Sequence, residues 1–503
     1  MFDGPPGKVY LIGAGPGDPG LITVRGAELL GRADVILYDG LANEALLAYA
    51  KVGAEKICVG KHGHGGSWAQ GTIDESIVKA AVSGKSVARL KGGDTAVFAR
   101  TAEEVDRLID EKIPYEIVPG ITAALAAGPY AGIPITHRDW SSAVALVTGQ
   151  MQPADGNQDA EETLDWPALA KFPGTLVLYM GAKTAGYWSG KLIEAGKPAS
   201  TPVALIRRCS WNDQETLLCD LSTVASTLAS SPHFTPPMIS VIGEVIRMSK
   251  NMDWFSVRPW FGKKVWVTSP EATGNLLAKK LDEQGATTVT EPVMTIQPPD
   301  DWTLVDAMVL ESGHFDWIVF SSVYGVEGFF SRLKTLGKDG RLLAGAKLAA
   351  VGSATANAIA MHSMVCDAVP KTQGAEGIAN LFERNCRGKR FLFVRNPTGE
   401  TFAMDRLHLA GAEVRSVPTY QQVLTHELPR PIRKLLDTNQ LDAVTATSKN
   451  IAKQAMELLG PLKTKVTWLS LSPSISDLLK QHGCQKILTA PEPSFEQLAL
   501  LKY

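Results

Sequence analysis

The chain has 503 residues, of which 45% are hydrophobic and 20% charged, with a net charge of −2. That length exceeds one hydrophobic core and implies about two to four domains. The near-neutral balance argues against a nucleic-acid surface and leaves any anionic ligand to local cations.

From residue 8 to about 247, short β-rich runs alternate with helical stretches. The runs are VYLIGA from Val9, DVILYD (34–39), KICVG (56–60), SVARL (86–90), YEIVPG (115–120), AVALVTG (143–149), TLVLYMG (175–181), PVALIR (202–207) and MISVIGEVI (238–246). Between them, 73–83 spaces Ile73, Ile77, Val78, Ala81 and Val82 as a helix does. This alternation predicts an α/β fold with largely parallel sheets covered by helices. Residues 151–163, polar and aperiodic, read as a surface loop. Residues 248–263 mix aromatics, a proline and charges, as expected of a linker packed on the surface between domains. From 264 a second α/β series begins: KVWVTS, WIVFSS (317–322), KLAAVGS (347–353), RFLFVRN (390–396), EVRSVPTY (413–420), DAVTATS (442–448) and VTWLSLS (466–472). The series share no evident repeat, so the expected modules are 1–247 and 264–503, with the linker between.

Six scattered cysteines, Cys58, Cys209, Cys219, Cys366, Cys386 and Cys484, show no C-x-x-C and no metal-ligand spacing. They suit a reducing compartment rather than a disulfide framework. The N-terminus shows no basic, apolar leader. No window approaches about 18 uninterrupted apolar residues, so no membrane span is expected. The reading is a soluble cytoplasmic protein.

The first run opens KVYLIGAGPGD (8–18), a strand followed by a turn that glycine-rich backbone makes, exposing N–H groups. Pro16 and Asp18 stand where the dinucleotide fingerprint G-x-G-x-x-G needs a free residue and its third glycine. A nicotinamide-dependent oxidoreductase is therefore disfavoured. With GAGPGD (13–18) come ILYDGL (36–41), VGK (59–61), RLKGGD (89–94), VPGITAA (118–124) and GIPITHRD (132–139), supported by YMG (179–181) and PVAL (202–205). In this order and spacing they resemble the tetrapyrrole methylases, specifically the uroporphyrinogen-III C-methyltransferases.

The resemblance implies S-adenosylmethionine, leaving as S-adenosylhomocysteine, in a cleft between two α/β subdomains, and methyl transfer to carbon of a tetrapyrrole. It implies cofactor contacts from Pro16, Gly92, Gly93, Asp94, Val97, Thr122, Ala123, Met180 and Ala204. Positioning then carries much of the catalysis, with acid–base help from Asp39 and Lys61, and Arg100 as a further candidate base. Arg100, Glu103 and Arg138 match positions that hold the carboxylate-rich substrate, for which forked arginine donors are apt. Each residue also has a plainer role: Asp39 starts a turn, Lys61 and Arg100 are solvated cations, Arg138 caps or pairs with Asp139, and Met180 is core. His62 and His64 lack a further ligand cluster, so no metal is expected. Thr95 and Ala96 stand where Pro-Phe is usual, Ala99 and Cys209 where glycine is usual, and His62-Gly63-His64 where arginine is usual. These changes bear on rate and substrate preference more than on reaction class.

Residues 264–503 resemble uroporphyrinogen-III synthase through VTSP (267–270), DWIVFSSVYGV (316–326), AAVGSATA (349–356), AEGI (375–378), RNPTG (395–399), GAEVRSVPTY (411–420) and TATSKN (445–450). That resemblance implies two α/β lobes joined by a two-stranded connection, closing hydroxymethylbilane without a cofactor. Substrate groups would come from Ser321, Ser322, Ser353, Thr355, Arg395, Thr447 and Ser448, with Tyr420 assisting loss of the hydroxyl group. Serine and threonine at such turns are equally good helix N-caps. Ser269 replaces a usual arginine, and SLSPSIS departs from the usual last motif. The expectation is a bifunctional tetrapyrrole enzyme, a homodimer paired through the methylase module, making precorrin-2 on the way to sirohaem or cobalamin. The alternative is an active methylase, on this or a later precorrin, with a silent C-terminal binding module.

Overall fold

The computed structural model describes residues 5–60, 68–149, 164–372 and 374–503. The loop expected at 151–163 lies outside the described residues, as do Lys61, His62 and His64. The chain forms two compact units. The first runs to Lys263 and takes in Leu281–Thr287 and Lys502–Tyr503; the second comprises Lys264–Lys280 and Thr288–Leu501.

The first unit contains two five-stranded sheets. In the first sheet, β1 (Val9–Gly13), β2 (Val35–Tyr38), β3 (Glu55–Cys58), β4 (Val87–Lys91) and β5 (Tyr115–Val118) lie in the order β3-β2-β4-β1-β5. Every pair is parallel. Val9, Leu11, Val35, Leu37 and Val87 meet Ile73, Ile77 and Ala81 of helix Gln70–Val82 on one face. Ile12, Ile36, Ala88 and Leu90 face a second apolar cluster. Burial on both faces is why these strands read as unbroken apolar runs rather than alternating ones.

The second sheet departs from the expectation of largely parallel pairing. Its strands are β6 (Val144–Thr148), β7 (Thr175–Tyr179), β8 (Pro202–Arg207), β9 (Glu215–Asp220) and β10 (Met238–Ile242), in the order β6-β7-β10-β8-β9. β6 and β7 are parallel; β7–β10, β10–β8 and β8–β9 are antiparallel. Strands β8 and β9 are joined by the short turn 208–214, which returns the chain antiparallel where a parallel partner needs a long crossover. The segment 248–263 is tied into this unit: Phe255 and Trp260 are fully buried, Phe255 against Ala127, Tyr130 and Val241.

In the second unit, β11 (Lys264–Val267), β12 (Thr287–Thr290), β13 (Met294–Gln297), β14 (Trp317–Phe320), β15 (Lys347–Ala350), β16 (Arg390–Val394), β17 (Glu413–Val417), β18 (Gln421–Leu424), β19 (Ala443–Ala446), β20 (Thr467–Ser470) and β21 (Ile487–Thr489) build two lobes. One lobe carries the sheet β12-β11-β19-β20-β21 and the other β15-β14-β16-β17. Antiparallel β13 and β18 join them, with Met294 opposite Leu424. This is the bilobal α/β form with a two-stranded connection.

Candidate functional site

Three turns at the ends of β1, β4 and β5 meet backbone to backbone. Gly15 N donates to Gly93 O at 3.1 Å and Gly93 N to Gly15 O at 2.7 Å. Both glycines have left-handed φ, 77° and 74°, which side chains avoid. Asp94 fastens the third turn: Oδ2 accepts from Gly120 N at 2.8 Å, and Oδ1 from Ala96 N at 2.7 Å. Its carboxylate therefore holds the turns of β4 and β5 together.

The second subdomain reaches this junction through Tyr179, at the end of β7. Its hydroxyl lies 2.6 Å from Thr122 Oγ1 and accepts from Ala124 N at 2.9 Å. Its ring lies 5.1 Å from that of Phe98, and burial pushes its phenol above the ordinary range. Met180 follows in a left-handed conformation with 46% of its surface exposed, and Phe98 is likewise left-handed and exposed. Pro16, Val97 and Ala123 are half-buried, while Ala204 is fully buried beneath. The outer side of Gly93 is open, its nearest neighbour across the turn being Thr122 Cα at 3.9 Å. Bare backbone beside exposed Phe98 and Met180 suits a ligand with both polar and apolar parts, such as S-adenosylmethionine. Tyr179, absent from the predicted site, had one signal: an aromatic at the end of an apolar strand.

Asp39 does start a turn: Oδ1 accepts from Leu41 N and Ala42 N at 3.0 and 3.1 Å. Its Oδ2 takes Gly92 N at 3.1 Å and faces Arg89 Nη2 at 3.9 Å. Behind Arg89 lies a buried ion cluster that sequence reasoning passed over. Glu104 Oε1 accepts from Arg89 Nε at 3.3 Å and from Gln70 Nε2 at 3.2 Å, while its Oε2 takes Lys91 Nζ. Burial holds the Lys91 ammonium below its ordinary pKa. The available signal was RLK: two cations two residues apart on an apolar strand share one face.

Arg100 sits at φ 53° and makes an exposed fork with Glu103, Nε to Oε1 at 2.8 Å and Nη2 to Oε2 at 2.6 Å. Arg138 is exposed and has no side-chain hydrogen bond or ion pair to the described residues. The predicted pairing of Arg138 with Asp139 does not form. Cys209, in place of the usual glycine, packs with Tyr130, Ala204 and Ile206, and burial pushes its thiol up to about 12. At pH 8 Cys209 should stay unalkylated in folded protein and react once urea unfolds it. Peptide mass spectrometry checks this, and modification of the native fold would contradict the packing.

In the second unit the predicted residues cluster at strand ends. Ser322 caps helix Val323–Thr335, accepting from Gly325 N at 3.0 Å, and donates to Tyr420 Oη at 2.9 Å. Tyr420 is almost fully buried, which raises its phenol pKa, and its ring lies 5.9 Å from that of Tyr324. Ser321 bonds backbone, its Oγ donating to Val394 O at 3.0 Å. Arg395 is buried and donates from Nη2 to Gly399 O. In the other lobe, Thr447 lies 2.8 Å from Ser269, hydroxyl to hydroxyl, and Ser448 caps helix Lys449–Leu459. Ser353 begins helix Ser353–Met361, and Thr355 is buried in its first turn.

Residues 8–225 match the model of the tetrapyrrole (corrin/porphyrin) methylases, and residues 275–499 that of uroporphyrinogen-III synthase HemD. The porphyrin biosynthesis protein HemD of Ruminiclostridium josui is 33% identical over 444 residues, covering 88% of this chain and 87% of that protein. A uroporphyrinogen-III C-methyltransferase of Bacillus subtilis is 38% identical over 344 residues, covering 68% of this chain and 69% of its own. The S-adenosyl-L-methionine-dependent uroporphyrinogen III methyltransferase of Methanosarcina barkeri is 45% identical over 242 residues, 48% of this chain and 93% of that one. The chain belongs to the family in which a tetrapyrrole methylase is fused to a uroporphyrinogen-III synthase of the HemD type.

Proposed function

We infer that the chain is a bifunctional tetrapyrrole biosynthesis enzyme. Its C-terminal half closes hydroxymethylbilane to uroporphyrinogen III, and its N-terminal half methylates that product to precorrin-2. The observation that carries the methylase assignment is the bare-backbone junction of Gly15, Gly93 and Gly120, with Tyr179 hydrogen-bonded to the adjoining Thr122 and Ala124 and exposed Met180 next to it in sequence. S-Adenosylmethionine supplies the electrophilic methyl group there. Gly92, Gly93, Thr122 and Ala123 offer it backbone, while Pro16, Val97, Met180 and Ala204 form its walls. Asp39, steadied by three backbone N–H groups, moves the pyrrole proton with help from Lys61. Arg100 and Arg138 hold substrate carboxylates, Glu103 setting the Arg100 fork. No described helix is long and apolar enough to cross a membrane. The six free thiols support a cytoplasmic setting, and exposed Tyr115 and Ile117 on edge strand β5 support a homodimer, checked by light scattering.

In the C-terminal half, the Ser322 hydroxyl donates to Tyr420 Oη, leaving the phenolic proton of Tyr420 available to the departing hydroxyl group. Tyr420→Phe should lower type III isomer formation by about 10²-fold, the ordinary range for a lost general acid. The product mixture should turn to type I while the melting temperature holds. Unchanged type III formation would remove Tyr420 from the chemistry. The wider test incubates the whole protein with hydroxymethylbilane, with and without S-adenosylmethionine. Type III isomer without cofactor and a dimethylated product with it are expected. Type I alone would establish the second reading, a silent C-terminal module, which the structural employment of Ser321, Ser322 and Ser448 favours.

A further inference from the structure

The turn Gly13–Asp18 is gripped from the other subdomain by the loop 208–214, RCSWNDQ. Trp211 Nε1 donates to Pro16 O at 3.2 Å across 195 residues of sequence. The indole covers Gly17 so closely that a Cβ there would lie 2.2 Å from the ring. Arg208, paired with Asp213 at 2.7 Å, stacks its guanidinium 4.2 Å from the centre of that indole. Below the indole runs a closed circuit of hydrogen bonds. Asp18 N donates to Ser210 Oγ at 3.0 Å, and Ser210 N to Gln214 Oε1 at 2.9 Å. Gln214 Nε2 donates to Tyr130 O at 2.9 Å, and Tyr130 Oη returns to Asp18 Oδ2 at 2.8 Å. Ser210, Gln214 and Tyr130 are buried, so each member depends on its neighbours for its partners. Arg208 and Ser210 both adopt left-handed φ, 49° and 66°. Non-glycine residues keep such conformations where the surroundings over-determine them, commonly at ligand clamps.

We propose that Trp211 is a positioning residue for the cofactor: with the Asp18–Ser210–Gln214–Tyr130 circuit, it sets the height of the Pro16 carbonyl and the glycine turn. The proposal rests on the reading that this turn binds S-adenosylmethionine. Trp211 meets the turn at the Pro16 carbonyl and, through its ring, at Gly17. Its effect should therefore fall on cofactor affinity and not on the methyl-transfer step.

The test compares whole wild-type protein with Trp211→Phe, which keeps an aromatic ring over Gly17 and removes the N–H donor. S-Adenosylhomocysteine is titrated calorimetrically, and methylation kinetics are measured with each substrate varied. Loss of one buried hydrogen bond should weaken S-adenosylhomocysteine binding and raise KM for S-adenosylmethionine about five- to tenfold. kcat at saturating cofactor and KM for the tetrapyrrole should hold. Tyr130→Phe should do the same, and the double variant should lose less than the product of the two, as residues that hold one turn together do. Unchanged affinity in Trp211→Phe, or a fall in kcat with affinity intact, would overturn the positioning role. Wild-type protein that binds no S-adenosylhomocysteine would instead remove the underlying cofactor reading.

Discussion

Replacing Glu104 with alanine should destabilise the first unit by about 3–5 kcal/mol, the usual cost of breaking a buried ion pair from one side. Glu104 is 2% exposed, and its cationic partners Arg89 and Lys91 are 5% and 4% exposed. Removing the carboxylate leaves two buried cations without their shared anion. Glu103, one residue earlier, provides the contrast. Its fork with Arg100 is solvent-exposed on both sides, so Glu103→Ala should cost less than about 1 kcal/mol. The two variants differ by one position and remove the same carboxylate; burial and the second cationic partner separate them. Urea unfolding followed by circular dichroism measures both, and a Glu104→Ala loss below about 1 kcal/mol would contradict the cluster.

The same cluster predicts a pH dependence. Burial lowers the Lys91 pKa in the folded chain, so between the folded and unfolded values the unfolded chain binds more protons. Stability from this group therefore rises with pH as it approaches the ordinary lysine value of about 10.4. In Glu104→Ala the carboxylate that favours the ammonium is gone, and the folded value falls further. The destabilisation should accordingly shrink as pH is raised from 7 towards 9. Because Arg89 also faces Asp39 Oδ2, methylation in this variant should weaken along with stability.

Which parts of this architecture were legible follows from where each residue finds its partners. Strands β1, β2 and β7 are buried on both faces, and their sequences are almost wholly apolar, so a reading along the chain finds them. Strand β9, ETLLCD, is half-exposed at an edge, and TTVT, MTIQ, QQVL and ILT are short with mixed polarity. Nothing in their composition separates them from loops; pairing partners far along the chain make them strands. The same holds at the site. The glycine turns and their resemblance to the methylases were visible as contiguous motifs. The roles of Tyr179, Glu104 and Trp211 were not, because each acts on a residue distant in sequence: Thr122 lies 57 residues from Tyr179, and Pro16 lies 195 from Trp211. The antiparallel pairings of the second sheet were missed for a related reason, since hydrophobic runs reveal burial and not direction.

Gly120→Ala should abolish methylation while leaving uroporphyrinogen III formation intact. A Cβ on Gly120 would stand 2.3 Å from Gly93 O and 2.8 Å from Gly13 C and Cα. Every obstructing atom is backbone, so no side chain can turn aside, and the ends of β1, β4 and β5 must separate. The first casualty is the Asp94 clamp, whose Oδ2 is held by Gly120 N itself. Through Asp94 the turn carrying Gly92 and Gly93 moves, and with it the Asp39–Gly92 bond. A displacement of about 1 Å at reacting groups costs about 10²-fold in rate, and this substitution shifts the proposed cofactor cradle and the proposed base together. Methyl transfer should therefore fall by at least about 10²-fold. Hydroxymethylbilane cyclisation in the same sample supplies the control, because its proposed residues, Tyr420 with Ser322 and Arg395, lie in the other compact unit. Loss of both activities would mean general misfolding, whereas methylation within about threefold of wild type would mean that the three turns can part without consequence, and the junction would lose its place as the centre of the methylase site.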